Sequence, residues 1–234
     1  MVSEYNKENY TYFLKEVVNY LINHEDNIAL IQNDFKTFIL DDNNIANSFV
    51  NKMVTIREML KADLDFFMIS DPAIDSMEEV ILAYPGYKAI VCYRIAHELY
   101  LLGLKLQARF ISELAHSATG IDIHPASIIE SPFFIDHGTG IVIGETTIIG
   151  KRVKLYQGVT LGAKSIPDAK LLKGKKRHPT ILDNVTIYAC ATILGDIVIG
   201  NNCIIGANVF LVDSIKDNMI VTIGAPQLII KEKK

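Results

Sequence analysis

The sequence has no tryptophan and only three cysteines, Cys92, Cys190 and Cys203, among 234 residues. Three is an odd number and no two stand in C-x-x-C spacing, so neither a disulfide framework nor a zinc knuckle is indicated. Small buried hydrophobes are their expected role. Long apolar runs are missing as well: nothing approaches the ~20 consecutive apolar residues of a membrane span. The opening stretch MVSEYNKENY lacks the basic, apolar and small-residue succession of a secretory signal. The expectation is a cytoplasmic protein with no membrane partner. Positive charge is in short supply: 23 Lys and Arg against 27 Asp and Glu give a formal net charge of -4, which offers no electrostatic basis for holding nucleic acid. The local run Lys173, Lys175, Lys176 and Arg177 could still meet a small polyanion. What the chain does have is apolar material, 50% of its residues against 21% charged, the balance of a folded globular protein.

That apolar material follows two different periods. Before about residue 118 it recurs at helical spacing, as in Leu14, Val17, Val18 and Leu21, then Ile45, Phe49, Met53, Ile56 and Leu60, then Leu104, Ala108, Ile111 and Ala115. Asp71-Pro72-Ala73 reads as a helix start, with Asp as cap and Pro in the first turn, and Gly120 as a helix stop. From Ile121 the period becomes six. One frame runs Ile123, Ile129 and Ile135, slips by two residues at Ile141-Val142, and resumes as Ile143, Ile149, Leu155 and Leu161. Beyond residues 162–180 it returns as Ile181, Ile187, Ile193, Ile199, Ile205 and Leu211. The fourth position after these residues is mostly small or β-branched: Ser127, Thr147, Val153, Val159, Val185, Ala191 and Val209.

Six residues per side and three sides per coil predict a triangular prism, in which Ile181 stacks on Ile199, Ile187 on Ile205 and Ile193 on Leu211 about 4.8 Å apart. The expected organisation is therefore α+β, with a helical domain over 1–118 and a parallel β-helix over 119–234. The helix carries a loop at 162–180 and a short C-terminal tail. A long interruption in a regular solenoid is usually functional, the alternative being a floppy insertion.

This hexapeptide pattern resembles the left-handed parallel β-helix of the hexapeptide acyltransferases. Handedness comes from that resemblance, not from the spacing, and so does the expectation of trimers with active sites between neighbouring prisms. Four stretches are more specific: Asp122-Ile123-His124-Pro125; Phe134-Ile135-Asp136-His137-Gly138-Thr139-Gly140; Ile143-Gly144-Glu145-Thr146; and Arg177-His178-Pro179. Together with Asp71-Pro72-Ala73 and Tyr93-Arg94-Ile95-Ala96-His97, they are similar to the serine acetyltransferases over residues 70–226. The resemblance implies transfer of acetyl from acetyl-CoA to the hydroxyl of L-serine, the first step of cysteine biosynthesis, with acetyl-CoA as co-substrate and no metal.

Such a transfer needs a base near neutral pH, and an imidazole with an ordinary pKa of ~6.5 is suited to it. The resemblance gives this role to His137 and gives Asp122, fifteen residues earlier, the task of orienting its ring. It places Asp71 and Asp136 on the serine ammonium and Arg177 and His178 on the serine carboxylate. Ala163, Ala189 and Ala207 match the pantetheine contacts, and Glu145 falls nearby without an assigned step. By residue type alone, His137 could be a hydrogen-bonded corner histidine, Asp71 a helix cap, Arg177 one charge in a solvated run, and the alanines plain corner packing.

The resemblance further implies L-cysteine as a feedback inhibitor and a homotrimer or dimer of trimers. Two departures stand out. Gln227 follows Gly224-Ala225-Pro226 where many relatives carry Arg, and the sequence ends at Lys234 without the terminal Ile that docks into O-acetylserine sulfhydrylase, so a tail-mediated complex with that enzyme is not expected. Other readings are a hexapeptide acetyltransferase for a sugar hydroxyl, a zinc-dependent γ-type carbonic anhydrase, and a non-catalytic scaffold.

Overall fold

The computed structural model describes residues 7–23, 28–164 and 174–224. Six helices come first: α1 (Lys7–Asn23), α2 (Ile28–Phe38), α3 (Asn43–Ser70), α4 (Met77–Ala83), α5 (Pro85–Leu101) and α6 (Lys105–Thr119). None is long and apolar enough to cross a membrane. Helix α3 starts where Asp42 accepts hydrogen bonds from the amides of Asn44 and Ile45, and it buries Phe49, Met53, Ile56, Leu60 and Phe67 along one face. Gly120 ends α6 in the left-handed conformation, φ 71°.

Asp71 does not start a helix; it ends α3. Pro72 disfavours helical backbone at the residue before it, so Asp71 is extended (φ -118°, ψ 112°) and its side chain turns to accept from the amide of Ala73 at 2.8 Å. The next helix begins at Met77, where Ser76 Oγ accepts from Glu79 N at 3.1 Å and Glu79 Oε2 accepts from Asp75 N at 2.9 Å. The Asp71 side chain therefore caps no helix start.

Short strands then wind into a prism with three parallel faces. The first face holds β1 (Asp122–Ile123), β4 (Val142–Ile143), β7 (Thr160–Gly162), β10 (Thr192–Leu194) and β13 (Phe210–Leu211). The second holds β2 (Ile128–Ile129), β5 (Ile148–Ile149), β8 (Thr180–Ile181) and β11 (Val198–Ile199). The third holds β3 (Phe133–Ile135), β6 (Val153–Leu155), β9 (Thr186–Ile187), β12 (Ile204–Ile205) and β14 (Ile220–Val221). Ile181 pairs with Ile199, Ile187 with Ile205 and Ile193 with Leu211, the stacking that a repeat of eighteen predicts. The frame residues are buried inside except Leu211, which is half-buried, and so are Ser127, Thr147, Val153, Val159, Val185, Ala191 and Val209.

Two of the three cysteines, Cys92 and Cys203, are buried, but Cys190 is exposed. It occupies a corner with φ 60°, where its side chain points outward instead of into the core.

The first coil of a solenoid has an edge with unpaired backbone groups. Here α5 covers it. Tyr93 Oη donates to Ser127 O at 2.6 Å and accepts from Ile129 N at 3.1 Å, Arg94 Nη1 donates to Ile129 O at 3.3 Å, and His97 Nδ1 lies 2.8 Å from Pro125 O. Arg94 also makes a two-pronged pair with buried Asp63 of α3, at 2.7 and 2.9 Å. Asp63 Oδ1 in turn accepts from Ser131 Oγ at 3.0 Å and Phe133 N at 2.9 Å. The Tyr93-Arg94-Ile95-Ala96-His97 motif is thus a clasp between helices and coils. Gly86, in the first turn of α5, permits the close approach, because a Cβ there would stand 2.2 Å from Ile135 O.

Candidate active site

The two-residue slip in the sequence has a definite place in the fold. Ile123 pairs with Ile143, Ile129 with Ile149 and Ile135 with Leu155, twenty residues apart rather than eighteen. The extra pair lies between Ile135 and Ile143, at the corner joining the third face to the first, and it lifts His137 out of the wall. His137 has φ 56° and its side chain is 69% exposed. Gly138, with φ 89°, must lack a side chain, since a Cβ would meet Ile121 Cδ1 at 2.4 Å.

Beside His137 stands one carboxylate, Asp136. Asp136 continues the coil ladder through its amide to Leu155 O (2.9 Å), and its Oδ1 lies 3.6 Å from His137 Nδ1. Asp71 accepts from Tyr84 Oη at 3.1 Å with its second oxygen, while Tyr84 packs edge-on to Phe67 at 6.3 Å. Burial, then the hydrogen bond and charge of Asp71, with smaller contributions from Glu79 and Asp136, push the Tyr84 phenol up to about 12. It stays a neutral donor. Tyr156 is also raised, by burial first and then by Asp136, Tyr188 and Asp71. The charges of Asp71 and Asp136 thus both bear on Tyr84 and Tyr156, and Tyr156 stacks on Tyr188 with ring centres 5.0 Å apart.

A second cluster forms at the corner joining the first face to the second. Arg177 pairs with Glu145, and that hydrogen bond holds the Glu145 carboxyl below the usual carboxylate range. His178 lies over Gly144, where a Cβ would come 2.1 Å from the ring. Its Nδ1 accepts from Thr146 N at 3.1 Å and lies 2.9 Å from Thr146 Oγ1. Burial, followed by the charges of Arg177 and Lys176, lowers His178 to about 4, so it is neutral at pH 7. Lys176 Nζ reaches the carbonyls of Thr146, His178 and Pro179 at 2.6, 2.5 and 3.1 Å. His124 accepts at Nδ1 from Ala126 N (3.1 Å), and its pKa is lowered by burial against the opposing pull of Glu145.

One chain thus brings Asp136 and His137 together at one corner, with Asp71 linked to that side through Tyr84, and sets Arg177 and His178 at another corner, a prism side away. Asp122 stands on the first face one coil below the His137 corner, with Arg109 Nη1 of α6 at 3.9 Å. No hydrogen bond or ion pair links it to His137. Ala189 and Ala207 stack at the His137 corner, where Ala189 O accepts from Asn208 N at 2.9 Å, whereas Ala163 follows β7 at the other corner. Lys173 and Gln227 lie outside the described residues, as do the rest of 165–173 and the tail from 225. Tyr84, Thr146 and Arg109 were not singled out from sequence: Tyr84 looks like a helix-start residue before Pro85, and Arg109 like a surface charge on α6. Thr146 follows Glu145 within a motif, and that was its only signal.

A hexapeptide prism with an exposed corner histidine beside a carboxylate and a separate arginine–histidine pair places the chain among the hexapeptide-repeat proteins. Residues 178–212 match the family described as bacterial transferase hexapeptide (six repeats). The chain is 50% identical over 174 residues to a plasmid-encoded serine acetyltransferase of Synechococcus elongatus, covering 73% of this chain and 54% of that one, so it spans about half the length of that relative. It is 46% identical over 169 residues to the serine acetyltransferase of Bacillus pumilus, covering 72% of this chain and 75% of the relative. Among solved structures it resembles serine acetyltransferase isoform 3 of Entamoeba histolytica in complex with cysteine, with a TM-score of 0.81, 37% identity, and coverage of 94% of this chain and 84% of that one. The chain belongs to the serine acetyltransferase family.

Proposed function

We propose that the chain transfers acetyl from acetyl-CoA to the hydroxyl of L-serine. The observation that carries this reading is the division of charge between the two corners. Asp136 beside His137, with Asp71 facing the same side through Tyr84, suits an ammonium, and Arg177 with the neutral donor His178 suits a carboxylate. A sugar hydroxyl would use neither pair. Six residues per side, each advancing ~3.3 Å, separate the corners by up to about 20 Å, whereas the ammonium and carboxylate of serine sit on one carbon. That separation favours a pocket whose two halves come from neighbouring copies, in keeping with a homotrimer with its sites between prisms.

In that site His137, exposed at its bulge, takes the serine hydroxyl proton as the oxygen attacks the thioester carbonyl. The C–S bond breaks, the CoA sulfur leaves and takes up the proton, and O-acetyl-L-serine and CoA are released. Asp122 is assigned the orienting of the His137 ring from the adjacent coil. Ala189 and Ala207 offer a smooth, small-residue track at the His137 corner for the pantetheine arm, and Ala163 of the neighbouring copy would complete it. L-Cysteine carries the same ammonium and carboxylate as serine and is expected to compete with it. Three free thiols accord with a reducing compartment such as the cytoplasm. Among the described residues no group of three or more potential ligands is placed to hold a metal ion.

The test is thiol release from acetyl-CoA with L-serine, with sugars, and with no acceptor. Serine-dependent release supports the reading; release with a sugar and none with serine would overturn it.

A further inference from the structure

The segment Lys176-Arg177-His178 leads from residues 162–180 back into the solenoid, and one residue on the coil beneath, Thr146, bonds all three of its members. Thr146 Oγ1 accepts from the amides of both Arg177 (3.0 Å) and His178 (3.1 Å). With both lone-pair directions taken, its proton is left for His178 Nδ1 at 2.9 Å, where Thr146 N also donates at 3.1 Å. The carbonyl of Thr146 receives Lys176 Nζ at 2.6 Å.

A ring nitrogen that accepts two hydrogen bonds carries no proton, so the His178 proton sits on Nε2. We propose that Thr146 is a positioning residue of the acceptor site: it fixes His178 as a neutral Nε2–H donor and sets Arg177 beside it, so that the two meet the substrate carboxylate as a pre-formed pair. This rests on the reading of Arg177 and His178 as the carboxylate end. Thr suits the task because its branched Cβ restricts χ1, and Gly144 keeps the ring against the coil. The arrangement gives the donor one tautomer across the working pH range, and burial that holds its pKa near 4 supports this.

Three variants and one spectrum test it. Thr146→Val should raise the serine KM and the cysteine Kd together, on the order of 5- to 30-fold, the usual effect of losing hydrogen bonds around a charged ligand. The acetyl-CoA KM should stay put and kcat at saturating serine should change by less than about threefold, on the principle that lost uniform binding appears in KM. Thr146→Ser, which keeps the hydroxyl, should recover most of the loss. Nitrogen NMR of labelled histidine should show His178 Nδ1 as the unprotonated nitrogen in the wild type at pH 7, and a mixture of tautomers in Thr146→Val. If Thr146→Val proves unstable, the Thr146→Ser kinetics and the wild-type spectrum decide. His178 protonated on Nδ1, or Thr146→Val binding serine and cysteine like wild type, would overturn the proposal. His178→Ala separates the two readings: if it leaves the serine KM unchanged, the carboxylate assignment itself fails, whereas a large effect there with none in Thr146→Val removes only the role of Thr146.

Discussion

His137 combines three properties at one residue: exposure, left-handed backbone and a place in the two-residue slip. Because the ring packs against nothing in the interior, His137→Ala should leave the melting temperature within a few degrees while lowering kcat by roughly 10²–10⁴-fold. Retention of more than about a tenth of kcat would count against it as base. Tyr84 makes a subtler case. As a donor to Asp71, it holds one carboxylate oxygen while Ala73 N holds the other. Tyr84→Phe should raise the serine KM about 3- to 10-fold and leave the acetyl-CoA KM unchanged, as steady-state kinetics would show. His178 carries the pH prediction. Its folded pKa lies below the ordinary histidine value, so the unfolded chain binds more protons between pH ~6.5 and 4 and its contribution to stability falls as pH drops through that window. His178→Asn should flatten the dependence of melting temperature on pH there.

Elements were read from the sequence with uneven success, for reasons visible in particular residues. The Ile ladder was legible because a period of six fits neither helix nor alternating strand, and the three stacked pairs beyond residue 180 followed by arithmetic. The slip at Ile141-Val142 was legible as a change of frame, but only the strand register shows that it is a bulge under His137. Asp71-Pro72 is ambiguous in sequence because Asp followed by Pro fits either end of a helix, and the helix start is marked instead by Ser76 and Glu79. The clasp of Tyr93, Arg94 and His97 was seen as a motif without a task, since hydrogen bonds to the backbone of Pro125, Ser127 and Ile129 leave no mark in composition. Its weight can be measured. Arg94→Met strands the Asp63 carboxylate in the interior and should cost about 3–5 kcal/mol in denaturant unfolding; a loss below 1 kcal/mol would mean that the pair contributes little.

At the scale of the whole molecule, the distance between the two corners decides what one chain can do alone. No sequence reports that distance, which is why the site residues could be named but not assembled. Mixed trimers give the test. His137→Ala and Arg177→Ala chains should each be nearly inactive by themselves, yet after co-expression up to about a quarter of the interfaces would join an intact His137 to an intact Arg177. Activity should return to that order. Absence of any recovery in verified mixed trimers would place the complete site within one chain.

The clasp at the first coil also gives the coil stack a direction in evolutionary time. Pro125, Ser127 and Ile129 spend their carbonyls, and Ile129 its amide, on side chains of α5. A duplicated coil inserted before them would have to displace all of these contacts at once, together with the Asp63 pair. Lengthening of the prism at this end therefore requires a whole set of contacts to change together. The clasp thereby fixes how far His137 stands from the helical half.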